Sequence, residues 1–268
     1  MRELTARAGA GLQRVWLVVA LLAIWQVAAS AAASFYVPPV ADVLKRFSEL
    51  WLSGDPQRLF VSEQFVDEAL PSLARLAAGW STAALVGIGL GLVLGRSERA
   101  AAFFDPLVRF GIAVPPPALL PFAIVLIGIG SGMSIFLIAF GTVWPILLNT
   151  IDGARRVDPL VEQTSRALHL SRRRFVTSVL LPAASPQIMA GVRVSLATGL
   201  ILMIISELYA ATDGIGFVIV QAQRSFLVLD MWAGIVLLAL LGLVINIIYV
   251  RIERRVLHWH RGARAIDR

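Results

Sequence analysis

The chain has 268 residues, of which 58% are hydrophobic and 15% charged, with no cysteine and a net charge of +7. Soluble domains carry about 25% charged residues, so a soluble fold of this length would lack the polar surface to cover its core; in a bilayer, apolar side chains face lipid instead. The missing cysteines exclude disulfides, thiolate metal sites and cysteine nucleophiles, and the basic residues lie between apolar segments, which points to membrane topology and not to nucleic acid.

Residues 1–14 carry Arg2, Arg7 and Arg14 and form an N-terminal tail. The apolar run from Val15 to Phe35 is too long for the apolar core of a cleaved signal peptide, and reads as an uncleaved first helix. It opens a series of six candidate spans, at about 15–35, 72–95, 104–130, 132–153, 186–211 and 231–250, set against the roughly 20 residues needed to cross a hydrocarbon core of about 30 Å. A Gly130-Ser131-Gly132 turn separates the third from the fourth. Arginines cluster before span one, after span two (Arg96, Arg99), after span four (Arg155 to Arg174) and after span six (Arg251 to Arg268). If the spans alternate, all four clusters share one side, and the positive-inside rule makes that side the cytoplasm with both termini inside. The expected fold is an all-α polytopic membrane protein with a transmembrane domain over 15–253 and a basic cytoplasmic tail over 254–268.

Segment 36–71 then lies outside. Val40, Val43, Leu44, Phe47, Leu50 and Trp51 recur at helical spacing, giving an amphipathic helix either on the outer interface or packed on the bundle. Segment 154–185 is the one long cytoplasmic stretch, polar and arginine-rich, and the natural contact surface for a cytoplasmic partner.

Within the spans, Gly87, Gly89, Gly91 and Gly95 are not a nucleotide loop, because they sit in an apolar helix with no preceding strand. Small residues at four-residue spacing let helix backbones approach closely in lipid. Pro115, Pro116 and Pro117 remove three backbone donors from span three, so the break must face protein or a water-filled path: a pore-lining irregularity or a structural kink. Arg193 and Glu207 lie fourteen residues apart in span five, about four turns and hence a similar face. Intramembrane charges face a bundle interior or a cavity, so the two belong to a path or gate, or to a structural pair. Gln26, Asn149 and Asn246 suit interhelical hydrogen bonds, with Asn149 also a path candidate. His169, His258 and His260 sit in basic segments, and His258 with His260 reads as an interfacial tail and not a metal site. No catalytic constellation, cofactor site or phosphate-binding GxxxxGK[ST] loop occurs, and the one lysine is Lys45. Any ATP-derived energy must come from a separate chain.

Residues 162–191 include Glu162-Gln163-Thr164-Ser165, His169-Leu170-Ser171 and Leu181-Pro182, followed by Pro186, Gly191 and Arg193. This stretch resembles the EAA loop of binding-protein-dependent ABC importer permeases, a Glu-Ala-Ala start followed by a glycine and a Leu-Pro pair. Counting back from Pro182, Gln163 and Ser165 take the usual first and third positions, Glu162 falls one place early, and His169 takes the glycine position. Tyr36-Val37-Pro38-Pro39, Pro115 to Pro121, Gly128-Ile129-Gly130, Pro145 to Thr150, Val157-Asp158-Pro159, Ser206-Glu207, Gly214-Ile215-Gly216 and Glu253-Arg254-Arg255 extend the resemblance over residues 15–262, to the nitrate/sulfonate/taurine-type branch.

The resemblance implies a permease subunit, not an enzyme, in a bacterial inner membrane. It implies two ABC ATPase subunits, a substrate-binding protein and a second permease copy in a homodimer. The coupling residues it implies are Glu162, Gln163, Ser165, His169, Leu170, Ser171, Leu181 and Pro182. The solute would be small and anionic, like a sulfonate, taurine or nitrate, with a thiamine-precursor-like pyrimidine as the alternative within the family. An ion-coupled secondary transporter is the alternative outside it; that would show an internal repeat with broken helices in both halves, and the sequence has one proline break and no convincing repeat.

Overall fold

The structure is a computed structural model that describes residues 2–54 and 61–258, with side chains from Trp16 onward. Residues 55–60 of the outer segment and 259–268 of the basic tail, including His260, lie outside the described residues. Every regular element among the described residues is helical. They are α1 (Arg2–Ala32), α2 (Val40–Trp51), α3 (Leu70–Arg96), α4 (Glu98–Ala113), α5 (Leu120–Ile127), α6 (Ser131–Arg155), α7 (Pro159–Ala167), α8 (Arg172–Phe175), α9 (Leu181–Ala210), α10 (Ile215–Arg224) and α11 (Val228–Val256).

Among the described residues, four helices are long and apolar enough to cross a bilayer: Phe65–Arg96, Ser131–Arg155, Arg172–Ala210 and Val228–Val256. A shorter apolar helix covers Trp16–Ala32, and α4 with the stretch Pro116–Ile127 forms a pair bent by 88°. These segments fall at the six predicted places in order, but only four, or five with the bent pair taken as one span, are long and apolar enough to cross, and two of them differ from expectation. The third is not one straight rod, because α4 stops at Ala113 and a 3-10 turn (Pro116–Leu119) restarts the chain in a new direction. The fifth begins at Arg172 and not near 186, since α8, a π turn (Val176–Leu180) and α9 run on as one helix. The turn before α6 is Gly128-Ile129-Gly130, with φ of 87° and 134° at its glycines, while Gly132 is already helical.

By its contacts the chain divides into two compact units, residues 1–68 with 218–238, and 69–217 with 239–268. In the larger unit, α6 packs between α3 and α9. Gly79, Ala83, Gly87, Gly91 and Gly95 form one stripe of α3 at four-residue spacing, and this stripe is what lets α6 approach. A Cβ at Gly79 would lie 2.8 Å from Ile138 Cβ, at Gly91 2.5 Å from Thr150 Cβ, and at Gly95 2.6 Å from Ala154 Cβ. On the other side Gly191 of α9 meets the Pro145 carbonyl, and Gly141 of α6 receives Leu202 and the Pro116 ring. With lipid outside and no hydrophobic drive between helices, such close packing is what holds apolar helices together. Gly89 is the exception to the expected seam, with open space around it.

In the smaller unit, α2 buries Val43 and Trp51 and turns Leu44 outward. The Trp25 and Trp232 rings lie 5.0 Å apart, and Trp232 Nε1 donates to the Tyr36 carbonyl at 3.1 Å. Arg46 grips Asp230 through two hydrogen bonds of 2.6 and 3.1 Å. Gln26, expected to bond another helix, accepts from the Ala41 amide at 3.0 Å.

Replacing Gly91 by Leu drives a side chain into Thr150 and is expected to lower the stability of the purified protein by about 1–3 kcal/mol. Gly89→Leu should leave it within about 0.5 kcal/mol. Thermal unfolding of both in one detergent decides; equal effects would refute the assignment of the seam.

Candidate functional site: a surface helix and two charged clusters

The segment expected to couple to a partner folds as a helix with defined ends. Asp158 caps α7 by accepting from the Leu160 amide at 2.8 Å, and Pro159 fills the first helical position, where no N–H is needed. At the other end the Leu170 amide donates to the Ser165 carbonyl at 3.1 Å and the His169 amide to the Arg166 carbonyl at 3.0 Å. This is a Schellman motif whose left-handed residue is His169, at φ +49°. Glycine avoids the Cβ clash that such a φ imposes, which is the physical reason a glycine suits this position. Ser171 then caps the helix that begins at Arg172. Leu181 and Pro182 follow the π turn inside that long helix, where the proline lacks the N–H of a regular turn.

The faces of α7 are distinct. Glu162 points inward, between Arg96 of α3 at 2.5 Å and Arg166 at 2.7 Å, and the Arg96 guanidinium also lies over the Phe175 ring, 5.8 Å from its centroid. Arg96 and Arg166 hold the Glu162 carboxyl below the usual carboxylate range. Ser165 is buried, its hydroxyl donating to the Val161 carbonyl. Gln163, Leu160, Val161 and Leu168 are exposed, Leu168 at 68%. Glu162 is thus an internal tie of the helix, and Gln163 occupies the open side.

A second charged cluster lies at the other end of the same helices. Arg75 of α3 and Glu207 of α9 are 3% and 1% exposed. Arg75 Nη1 donates to Glu207 Oε1 at 3.0 Å and to the Asp213 carbonyl at 3.2 Å; Nη2 bonds the Asp213 carboxylate, and Nε donates to Ser131 Oγ at 3.0 Å. Glu207 Oε2 accepts from Ser72 Oγ at 2.9 Å and from the Gly216 amide at 3.0 Å. The Ile215 amide donates to Ser72 Oγ at 3.0 Å. Gly214 has φ +113°, and a Cβ there would lie 2.6 Å from the Glu207 carboxyl carbon, so the turn can close on the carboxylate only without a side chain. A buried charge is tolerable when it is paired and fully hydrogen-bonded, and this network meets that condition. Sequence reasoning missed Arg75. Part of the signal was present, since an arginine inside an apolar window calls for a partner, but nothing in the sequence names which one.

Arg75 and Arg96 are 21 residues apart on one helix, about 31 Å at 1.5 Å per residue. They therefore bracket one hydrocarbon thickness. Arg193 and Glu207 do not share a face, contrary to expectation. Fourteen residues fall short of four turns by roughly 40°, enough to carry Arg193 from the packed stripe to the open side. There its guanidinium lies 5.9 Å from the Tyr249 ring centroid, and it makes no ion pair among the described residues. Asn149 donates to the Pro145 carbonyl of its own helix at 2.8 Å. Pro116 is half-buried beside Gly141, while Pro115 and Pro117 are exposed. The path candidates are thus dispersed along the bundle, and no metal-binding group of His, Asp and Glu occurs among the described residues.

Residues 86–258 match the family described as the binding-protein-dependent transport system inner membrane component. This chain belongs to that family. The permease is 30% identical to the putative aliphatic sulfonates transport permease protein SsuC of Bacillus subtilis, over 90% of this chain and 85% of that one. It is 31% identical to the taurine transport system permease protein TauC of Escherichia coli, over 91% and 88%. It is also 31% identical to the nitrate import permease protein NrtB of a Synechocystis strain, over 85% and 83%. A chain of the inward-facing MetNI methionine ABC transporter superposes with a TM-score of 0.63 at 22% identity, covering 73% of this permease and 99% of that chain. The fold is therefore that of an ABC importer permease, and the protein is a multi-pass inner-membrane transport component.

Glu207→Ala leaves Arg75 buried opposite a void and is expected to cost about 3–5 kcal/mol, read as a drop in unfolding temperature of the permease in detergent; a loss under 1 kcal/mol would show that the network is dispensable. His169→Gly relieves the left-handed strain and should stabilise by up to about 1 kcal/mol, whereas His169→Val should destabilise. The reverse order would contradict the Schellman assignment.

Proposed function

We propose that the permease forms the translocation path of an ATP-driven importer for a small anionic solute of the sulfonate, taurine, nitrate or bicarbonate kind. It works as a pair of identical copies with two ATPase subunits and a substrate-binding protein, and both termini are cytoplasmic. One observation carries the reading: α7 is a short helix, capped at both ends, that bares Leu160, Val161, Gln163 and Leu168 while Glu162 ties it inward to α3. An exposed apolar helix face with a rigid base suits docking into a groove of a partner. The chain has no phosphate-binding loop of its own, so the partner supplies ATP hydrolysis.

ATP binding closes the ATPase dimer and displaces α7; hydrolysis releases it. The displacement passes through Arg96 and the continuous helix Arg172–Ala210 to the bundle, whose two arrangements open the path to opposite sides. The anionic solute class is supported by the sulfonate, taurine and nitrate relatives and by Arg193, an intramembrane cation on the open side of α9 with no carboxylate partner among the described residues. Pro115, Pro117 and Arg193 are the path residues this reading favours. Glu207 with Arg75 serves as a fixed brace at the outer end.

In proteoliposomes holding the complete importer, Leu168→Asp should reduce ATP hydrolysis stimulated by the loaded binding protein, and uptake with it, by tenfold or more, about 1.4 kcal/mol of lost coupling. The thermal unfolding of the permease should not change. Stimulation at the wild-type level would sink the coupling assignment. Calorimetric titration of the partner binding protein with taurine, alkanesulfonates, nitrate and bicarbonate tests the solute class, and binding to none of these anions would overturn it.

A further inference from the structure

A groove of about 430 Å3 opens beside Arg96, lined by Gly89, Leu92 and Val93 of α3 and by Phe175, Val176 and Leu180 of the adjoining helix, with Arg96, Ser97 and Arg172 also in its wall. Both of its helices present the same order. Arg96 closes the membrane-crossing helix Phe65–Arg96, and Val93, Leu92 and Gly89 lie one to two turns before it. Arg172 opens the helix Arg172–Ala210, and Phe175, Val176 and Leu180 lie one to two turns after it. Charge at the mouth and apolar wall deeper in is the order of a phospholipid, headgroup outside and acyl chain within.

Three further features fit that occupant. Gly89 has nothing within 4 Å of the position its Cβ would take, so the wall there is open where an acyl chain would lie. The neighbouring open stripe of α3, Leu85, Val86, Leu90 and Val93, is entirely apolar and exposed, as a lipid-facing surface must be. Arg172 is exposed and makes no ion pair among the described residues, while Arg96 reaches Glu162 through Nη2. The basic mouth therefore keeps an uncompensated positive charge beside a membrane surface rich in phosphate.

We infer that this groove is a binding site for an anionic phospholipid, its headgroup phosphate on Arg172 and Arg96 and one acyl chain along Val93 and Gly89. The site owes nothing to the coupling role of α7 or to the transported solute. A lipid held there also seals the wall between α3 and the start of the long helix, directly beside the Arg96–Glu162 tie.

The test uses the complete importer in detergent, titrated with phosphatidylglycerol or phosphatidylcholine and read by native mass spectrometry as bound lipid per permease. Wild type should retain phosphatidylglycerol over phosphatidylcholine. Arg172→Gln should lower phosphatidylglycerol retention roughly fivefold, the contribution expected of one arginine near a phosphate surface, and leave phosphatidylcholine unchanged. Gly89→Leu fills the acyl wall and should reduce both lipids; because its Cβ meets nothing, unchanged thermal unfolding confirms an intact fold. Equal retention of the two lipids by wild type, or phosphatidylglycerol retention untouched by both substitutions, would overturn the site. A loss with Arg172→Gln and none with Gly89→Leu would mean surface attraction without a groove and would overturn it equally. Uptake and ATP hydrolysis do not enter the readout, so failure here leaves the importer reading intact.

Discussion

Inside a hydrocarbon core a backbone amide or a charge must find its partner within the protein or face a water-filled path, and that constraint shapes the unusual features of the permease. Where prolines 115–117 remove donors, the helix ends and the chain turns by 88°. Where α5 must give way to α6, glycines at 128 and 130 adopt backbone angles other residues resist. Where an arginine and a glutamate enter the apolar span, five hydrogen-bonding groups from α3, the starts of α6 and α10, and the α9–α10 turn converge on them. Lipid offers no hydrophobic drive for helix association, so the bundle relies on close backbone approach, and the glycine stripe of α3 is where that approach occurs.

What was legible in the sequence followed from signals that are local or strictly periodic. Apolar runs gave the places of the long helices, and glycine spacing gave a helix seam. The glycine position occupied by His169 proved to be the left-handed end of α7. The failures share a physical origin. Arg75 meets Glu207 and Asp213 across 132 and 138 residues of chain, and no window of sequence contains that pairing. The offset between Arg193 and Glu207 was too small for a count of turns to resolve, yet it separates a buried face from an open one. Gly89 looked like a member of the seam because spacing by two and by four coexist in Gly87-Ile88-Gly89-Leu90-Gly91, and only packing tells them apart.

The segment around α7 shows the same division. By sequence, Glu162 stood one place early against the family pattern. Glu162 faces inward on Arg96 and Arg166, and Gln163 sits outward at the usual first position. A displaced glutamate would have implied a degenerate contact with a partner; an inward one implies a contact within the chain. The two carboxylates of interest, Glu162 and Glu207, therefore act alike: each fixes another element against α3, at opposite ends of that helix.

That arrangement constrains how force can travel. α3 is held at one end by Arg96 to α7 and at the other by Arg75 to α9 and to the turn before α10, while along its length the glycine stripe locks it to α6. α6 runs into α7 through only three residues, 156–158, and α7 runs into the long helix through Leu168 to Ser171. A load applied to the open face of α7 is thus delivered to α3, α6 and α9 together, because each is joined to it by a short covalent link or a hydrogen-bonded ion pair. Helices so braced shift as a body and not by sliding past one another, since sliding would force residues into the spaces at Gly79, Gly91 and Gly95, which have no room for a Cβ. In the proposed cycle the yielding element must then lie outside this braced trio, in the bent α4–α5 pair, where prolines already interrupt the backbone bonding and where Pro115 and Pro117 remain exposed.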